Sequence, residues 1–195
     1  MLPLTDGAGY KLVGVKMIEP HRASMRLFFY LKTSLRGHMN VVEGCFYHVK
    51  DEFFDKFRDC GLMWNKEDGR FRPHYLVVCD AECPDLYWMV PVSSKVEKYR
   101  AIYEKMIEKY HRCTKIVFGT CDGKEAAFLI QNAFPVTLEY MDHIHMSNGK
   151  PVGMHESTAR IIASYLRSNL EMRKRGIELF YTDIDKIKSC LKVST

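Results

Sequence analysis

Two adjacent hydroxyls and a lysine stand where one hydrophobic pattern gives way to another. In YWMVPVSSKVEKY (87–99) an apolar run ends in Ser93, Ser94 and Lys95, and a three- and four-residue apolar period begins at once. Helix N-termini carry unpaired amides and a field that favours anions. Hydroxyls, amides and ammonium groups at one such junction form a phosphate-binding constellation. A plainer account covers part of it. SKVE (94–97) fits a capping box, in which Ser94 bonds the amide three residues on and Glu97 reaches back. That leaves Ser93 and Lys95 unexplained, because a lysine in a first helical turn faces the positive end of the dipole. Lys98 and Arg100 add to the same local excess.

The elements that must hold this junction are legible on both sides. CFYHV (45–49) alternates as a strand, and KDEFFDKFRDCG (50–61) is a short helix with acidic residues first, Phe53, Phe54 and Phe57 on one face, and Gly61 as its stop. WNKEDGRFRP (64–73) is a charged loop. HYLVVCD (74–80) and LYWMVPV (86–92) form a hairpin of buried strands around the turn ECPD. Tyr99, Ile102, Tyr103, Met106, Ile107 and Tyr110 then share one helical stripe, expected to face the core. KIVFGTCDGKEAAFLIQ (115–131) is a second hairpin, turning at Asp122-Gly123, and NAFPVT follows with Pro135 at a sheet edge. A helix from about Ser157 ends in Arg173, Lys174 and Arg175 with Gly176 as its cap, and DIDKIKSCL (183–191) is a last short helix. Hairpins with inserted helices imply an α+β class with a mainly antiparallel sheet or small barrel.

Composition narrows the function classes. At 195 residues, 47% hydrophobic and 27% charged, the chain has the makings of one cored domain rather than a disordered or fibrous protein. A net charge of +5 leans towards an anionic partner such as nucleic acid. No apolar run approaches the ~20 residues that cross a bilayer, and the short run LFFYL (27–31), inside the chain and flanked by basic residues, is not expected to be a secretory signal. Seven scattered cysteines without a secretory signal suit a reducing cytoplasm. Cys79 and Cys83 are spaced Cys-x3-Cys with no matched second pair among His111, Cys113 and Cys121, so no zinc site and no cofactor is expected. HIH (143–145) alternates as a strand would and suits a surface or RNA-contacting edge rather than a metal site. Residues 1–44 hold six Lys/Arg against three Asp/Glu and no sustained period. They are expected to be a basic N-terminal extension, either a loose arm or, with Met39 as the natural first residue, a start-site artefact; the folded domain is expected over 45–195.

The order of CFYHVKDEFFDKF, RPHYLVV, LYWMVPVSSKVEKY, FLIQNAFPV and LRSNLEMRKRGIELF resembles the toxins of type III toxin–antitoxin systems. These are the ToxN/AbiQ-type endoribonucleases, and within them the CptN branch; the likeness covers most of residues 45–191. It implies a compact antiparallel barrel with flanking and inserted helices, akin to the MazF/Kid toxins, and a metal-independent ribonuclease. Its partners would be a small repetitive antitoxin RNA, which the toxin cuts and which then inhibits it, and cellular mRNA as target, with no membrane and an RNA-mediated oligomer. The family's hydroxyl pair and lysine fall on Ser93, Ser94 and Lys95, its first-helix aromatic on Phe53, a basic residue after the proline on His74, and a late aromatic on Phe134. Two departures stand out. Lys95 follows Ser94 directly where the family spaces them by one residue, so Lys98 competes for the lysine's role; and Phe53 has no phenol.

RNA cleavage without a metal proceeds by attack of a 2′-hydroxyl on its own phosphate, giving a 2′,3′-cyclic phosphate and a 5′-hydroxyl. Charge grows on the non-bridging oxygens, so preorganised donors are the main catalytic asset. Lys95 or Lys98 and the hydroxyls of Ser93 and Ser94 fill that role. His74, or a phenol such as Tyr47, would move protons. Phe134 or Tyr75 would stack a base, and Arg70, Arg72 and the Arg173–Arg175 cluster would track the backbone. The cluster also fits a solvated helix end. The competing account is a non-catalytic RNA-binding module using the same groove.

Overall fold

The structure, a computed structural model, describes residues 41–192. In chain order its elements are β1 (Phe46–Val49), α1 (Asp51–Lys56), β2 (Lys66–Glu67), β3 (Arg70–Phe71), β4 (His74–Cys79), β5 (Leu86–Ser93), α2 (Val96–Tyr110), β6 (Ile116–Cys121), β7 (Lys124–Leu129), β8 (Phe134–Thr137), β9 (Met141–Ile144), β10 (Met146–Ser147), β11 (Lys150–Pro151), α3 (Glu156–Lys174) and α4 (Ile184–Lys192). The class is α+β, as the alternating hairpins and inserted helices imply.

Period-two alternation builds the sheet, and β5 is its axis. Seven antiparallel strands run in the order β6-β7-β5-β4-β1-β9, with β8 also on β5. β4 pairs along one edge of β5, from His74 opposite Pro91 to Cys79 opposite Tyr87. On the other edge β8 takes Leu86–Met89 and β7 takes Val92 and Ser93. The path from β6 to β9 does not close, so the barrel expected from the resemblance is an open sheet here.

Successive residues face opposite layers. Phe46, Tyr75, Val77, Trp88, Val90 and Phe128 pack with Ile162 and Leu166 of α3. Their neighbours Tyr47, Leu76, Met89 and Phe134 face α1 and α4 through Phe53, Phe57 and Ile187. Ala127 and Leu129, on that second face, meet Tyr99 of α2. Of the α2 stripe, Tyr99 is buried and Ile102, Tyr103 and Met106 pack against the sheet, whereas Ile107 and Tyr110 are exposed. The helix outruns the edge it covers.

Of the expected 1–44 extension, residues 1–40 lie outside the described residues. Residues 41–44 pack on the domain: Val41 and Val42 touch the α1-side core, and the Gly44 amide donates to the Leu76 carbonyl at 3.2 Å. No described helix is long and apolar enough to cross a membrane.

Candidate active site

Ser93 ends β5 and Lys95 is the N-cap of α2, so the junction sits where the sequence pattern places it. The capping box does not form. No side chain caps α2, and Glu97 turns outward to Arg100 at 3.9 Å. The serine hydroxyls are taken by another partner, Glu67, reaching in from the segment expected to be a loop. WNKEDGRFRP instead folds as the β2–β3 hairpin, turning at Asp68 (φ 50°) and Gly69 (φ 77°). An Asp-Gly dipeptide between short strands is the signal for such a turn.

Glu67 is fully ligated. Its Oε1 accepts from Ser93 Oγ at 2.8 Å and from Arg72 Nη2 at 3.2 Å; its Oε2 accepts from the Ser94 amide at 2.9 Å and from Ser94 Oγ at 3.1 Å. Ser93 Oγ in turn accepts from the Lys95 amide at 3.2 Å. Burial pushes the Glu67 carboxyl up, but the Ser94 amide, the Ser93 hydroxyl and Arg72 outweigh it and hold it below its ordinary 4.5. The junction is therefore an oxyanion seat with an oxyanion in it. Beside it opens a cleft of about 260 Å³ lined by Trp64, Lys66, Lys95, Lys98 and Tyr99. Lys95 Nζ lies 3.4 Å from Asp68 Oδ1, and Lys98 Nζ lies 5.5 Å from the Tyr99 ring centre. Burial raises the Tyr99 phenol above its ordinary 10, which keeps it protonated.

Several expected site residues belong to the interior. Tyr47, Phe53, Tyr75 and Phe134 are buried in the core, where a ring has no free face for a base. His74 is 1% exposed between the rings of Phe54 and Phe134. Burial, with the charges of Arg72 and His48, lowers its pKa to about 3, so it stays neutral and walled off from any proton transfer in the cleft. Arg72 is 5% exposed and is a strut rather than a backbone tracker: it donates to the carbonyls of Trp64 at 3.1 Å and Val92 at 2.5 Å as well as to Glu67. Arg70 is exposed on the hairpin.

The Arg173–Arg175 cluster is not at the junction. α3 covers the sheet face opposite Ser93, and Arg173 and Lys174 line a different cavity, about 1010 Å³, with Trp88 and Lys188. Trp88 and Ser93 are about 16 Å apart along β5 at ~3.3 Å per residue. The cluster is also neutralised: Arg173 pairs with Asp185 at 2.9 Å and with Glu178, and Lys174 pairs with Glu82 and Glu171 at 3.3 Å each. Arg175 is exposed, and Gly176 caps the helix at φ 82°. At the sheet edge, His48 of β1 stacks on His143 at 4.6 Å and bonds His145 at 2.9 Å.

Sequence reasoning missed Glu67, Trp64 and Lys66. Trp64 is 88% exposed at the cleft, two residues before the hairpin, and Phe71 on the hairpin is 50% exposed under Lys66 Nζ at 4.6 Å. Exposed aromatics among lysines and arginines have the chemistry that suits stacking of unpaired bases. The signal was the pattern W-x-K…R-F-R within one ten-residue segment.

The fold is thus an open antiparallel sheet with helices on both faces, whose central strand enters a helix at an oxyanion seat. Among solved structures this fold is similar to AbiQ, described as a lactococcal anti-phage endoribonuclease belonging to the type III toxin–antitoxin system. The TM-score is 0.58 at 15% identity, over 77% of this chain and 96% of that one. No family model matches the sequence, and no curated protein does.

Proposed function

We propose that the chain is an endoribonuclease toxin of the type III toxin–antitoxin kind. The observation that carries this is the likeness of fold to AbiQ over nearly that whole chain. The seat at Ser93 and Ser94 supports it, because donors that converge on a carboxylate suit a phosphodiester equally well.

On this reading a scissile phosphate lies against Ser93 and Ser94, with Lys95 or Lys98 at the mouth. The 2′-hydroxyl gives up its proton and its oxygen bonds to phosphorus, while the bond from phosphorus to the 5′-oxygen breaks and that oxygen takes up a proton, leaving a 2′,3′-cyclic phosphate and a 5′-hydroxyl. The two hydroxyls, the Ser94 amide and a lysine stabilise charge on the non-bridging oxygens, chemistry that calls for no metal or cofactor. Trp64, rather than Phe134 or Tyr75, holds an unpaired base. The partners are a repetitive antitoxin RNA that the toxin cuts and that then blocks it, and cellular mRNA, with toxin copies joined through RNA.

Expression of the wild-type chain in bacteria is expected to arrest growth, and the Lys95→Ala/Lys98→Ala double variant is not. RNA copurified with the wild type should end in a cyclic phosphate. A wild-type chain that leaves growth untouched without its RNA refutes the nuclease and leaves the non-catalytic RNA-binding module.

A further inference from the structure

Glu67 and an RNA phosphate need the same donors. We propose that Glu67 is the resident ligand of an oxyanion seat built by Ser93, Ser94 and Arg72, and that a phosphodiester enters only by displacing it. This deepens the reading of the same corner as the nuclease site and rests on it.

Three observations carry it. The carboxylate uses both oxygens and spans both serines, through four donated hydrogen bonds of 2.8–3.2 Å, so no donor is left over for a second anion. Two anions at contact distance also repel, and the more so away from bulk water. The seat therefore holds one or the other.

The second observation is how Glu67 is mounted. It ends β2 beside the Asp68-Gly69 turn of a two-stranded ribbon that is not hydrogen-bonded into the main sheet. Such a ribbon is marginal by itself. Its base is anchored: the Arg72 amide donates to the Asn65 carbonyl at 2.6 Å, and Asn65 donates to the Val49 carbonyl at 3.0 Å and to Asp51 at 2.7 Å. Its tip is held by contacts that an anion can replace, namely Glu67 on the serines and Asp68 on Lys95 at 3.4 Å. A phosphate entering the seat takes the donors from Glu67 and competes with Asp68 for Lys95.

The third is what the ribbon shows to solvent. Phe71 is exposed on it under Lys66, and Trp64 is exposed two residues before it. A single strand whose bases stack there brings its phosphates to the tip that must move.

The test uses the full chain and two probes, inorganic phosphate and a 2′-O-methyl single-stranded oligoribonucleotide that cannot be cut. Glu67→Gln is expected to gain a phosphate-dependent rise in melting temperature that the wild type lacks. It should also bind the oligonucleotide about tenfold more tightly, because the competing state is gone. Glu67→Asp keeps the charge beside Arg72 but is too short to span both serines; it should show the same two changes at smaller size, and it serves if the glutamine variant folds poorly. An equal phosphate response in wild type and variants overturns the proposal, and so does oligonucleotide binding that is measurable in the wild type and is unchanged or weakened by Glu67→Gln. Cleavage lost with binding unchanged does so too, by making Glu67 a base instead of a competitor. A phosphate response confined to the variants, with no oligonucleotide bound by any form, upholds the displaceable seat and refutes the RNA reading of it.

Discussion

Arg72 Nη1 donates to the carbonyl of Val92 at 2.5 Å, one residue before Ser93, and its other arm reaches Glu67. A single buried guanidinium thus joins the end of β5 to the hairpin that fills the seat. Replacing it leaves a half-buried carboxylate and a buried carbonyl short of a donor. Arg72→Ala should lose about 3–5 kcal/mol of stability, the range for removing one partner of a buried pair, measured by urea unfolding.

Trp64 is the reverse case. At 88% exposure its side chain contributes little packing, so Trp64→Ala should leave stability within about 0.5 kcal/mol. Affinity for single-stranded RNA should fall by about 1–3 kcal/mol, the worth of one stacked base. Fluorescence anisotropy with a non-cleavable oligonucleotide reads it.

Phe53 and Phe134 lie 5.2 Å apart in the core. Either one changed to alanine should cost about 3–5 kcal/mol of stability through the cavity left behind. Whatever activity the remaining folded molecules have should keep its KM, since neither ring reaches the cleft. A raised KM at full stability would return these rings to the site.

Lys95 and Lys98 are exposed, so removing both should barely move the melting temperature. Cleavage should fall about 10²–10³-fold, the usual loss when preorganised charge stabilisation is removed. Single-turnover rates separate this from weaker binding.

Two histidines set an acid limit. Burial, with the charges of His143 and His145, lowers His48 to about 4, and His74 is lowered to about 3, against an ordinary 6.5. Below pH 6.5 the unfolded chain binds these protons and the folded one does not. The stability they contribute is thus fully present above pH 6.5 and is lost as pH falls towards 4 and 3. Each group adds a slope of up to about 1.4 kcal/mol per pH unit. In urea titrations from pH 7 to 4, His74→Leu should flatten the loss.

The hairpins and helices were legible because they are local. Apolar alternation marks β4 and β5, the Asp122-Gly123 turn joins β6 to β7 at φ 51° and 72°, and Gly176 ends α3. The second hairpin turn, at Asp68-Gly69, carries the same dipeptide but lies between strands of only two residues, too short for a period to be seen. The capping box misled for a related reason. Ser94 and Glu97 have the right spacing, yet Ser94 is bonded to a carboxylate 27 residues away, a partner that no local pattern names.

From its residues alone this chain is an α+β protein whose hydroxyl-and-lysine corner stands at a strand–helix junction, because side-chain period and helix-end chemistry act over a few neighbouring residues. Which groups share that corner was decided only by folding. Pairing His74 with Pro91 and Phe134 with Met89 turns both side chains inward, and the β2–β3 hairpin folds back to bring Glu67 onto Ser93 and Ser94. Contacts across such sequence distances depend on strand register and on which sheet face each residue occupies. Both are set by burial of the whole core at once.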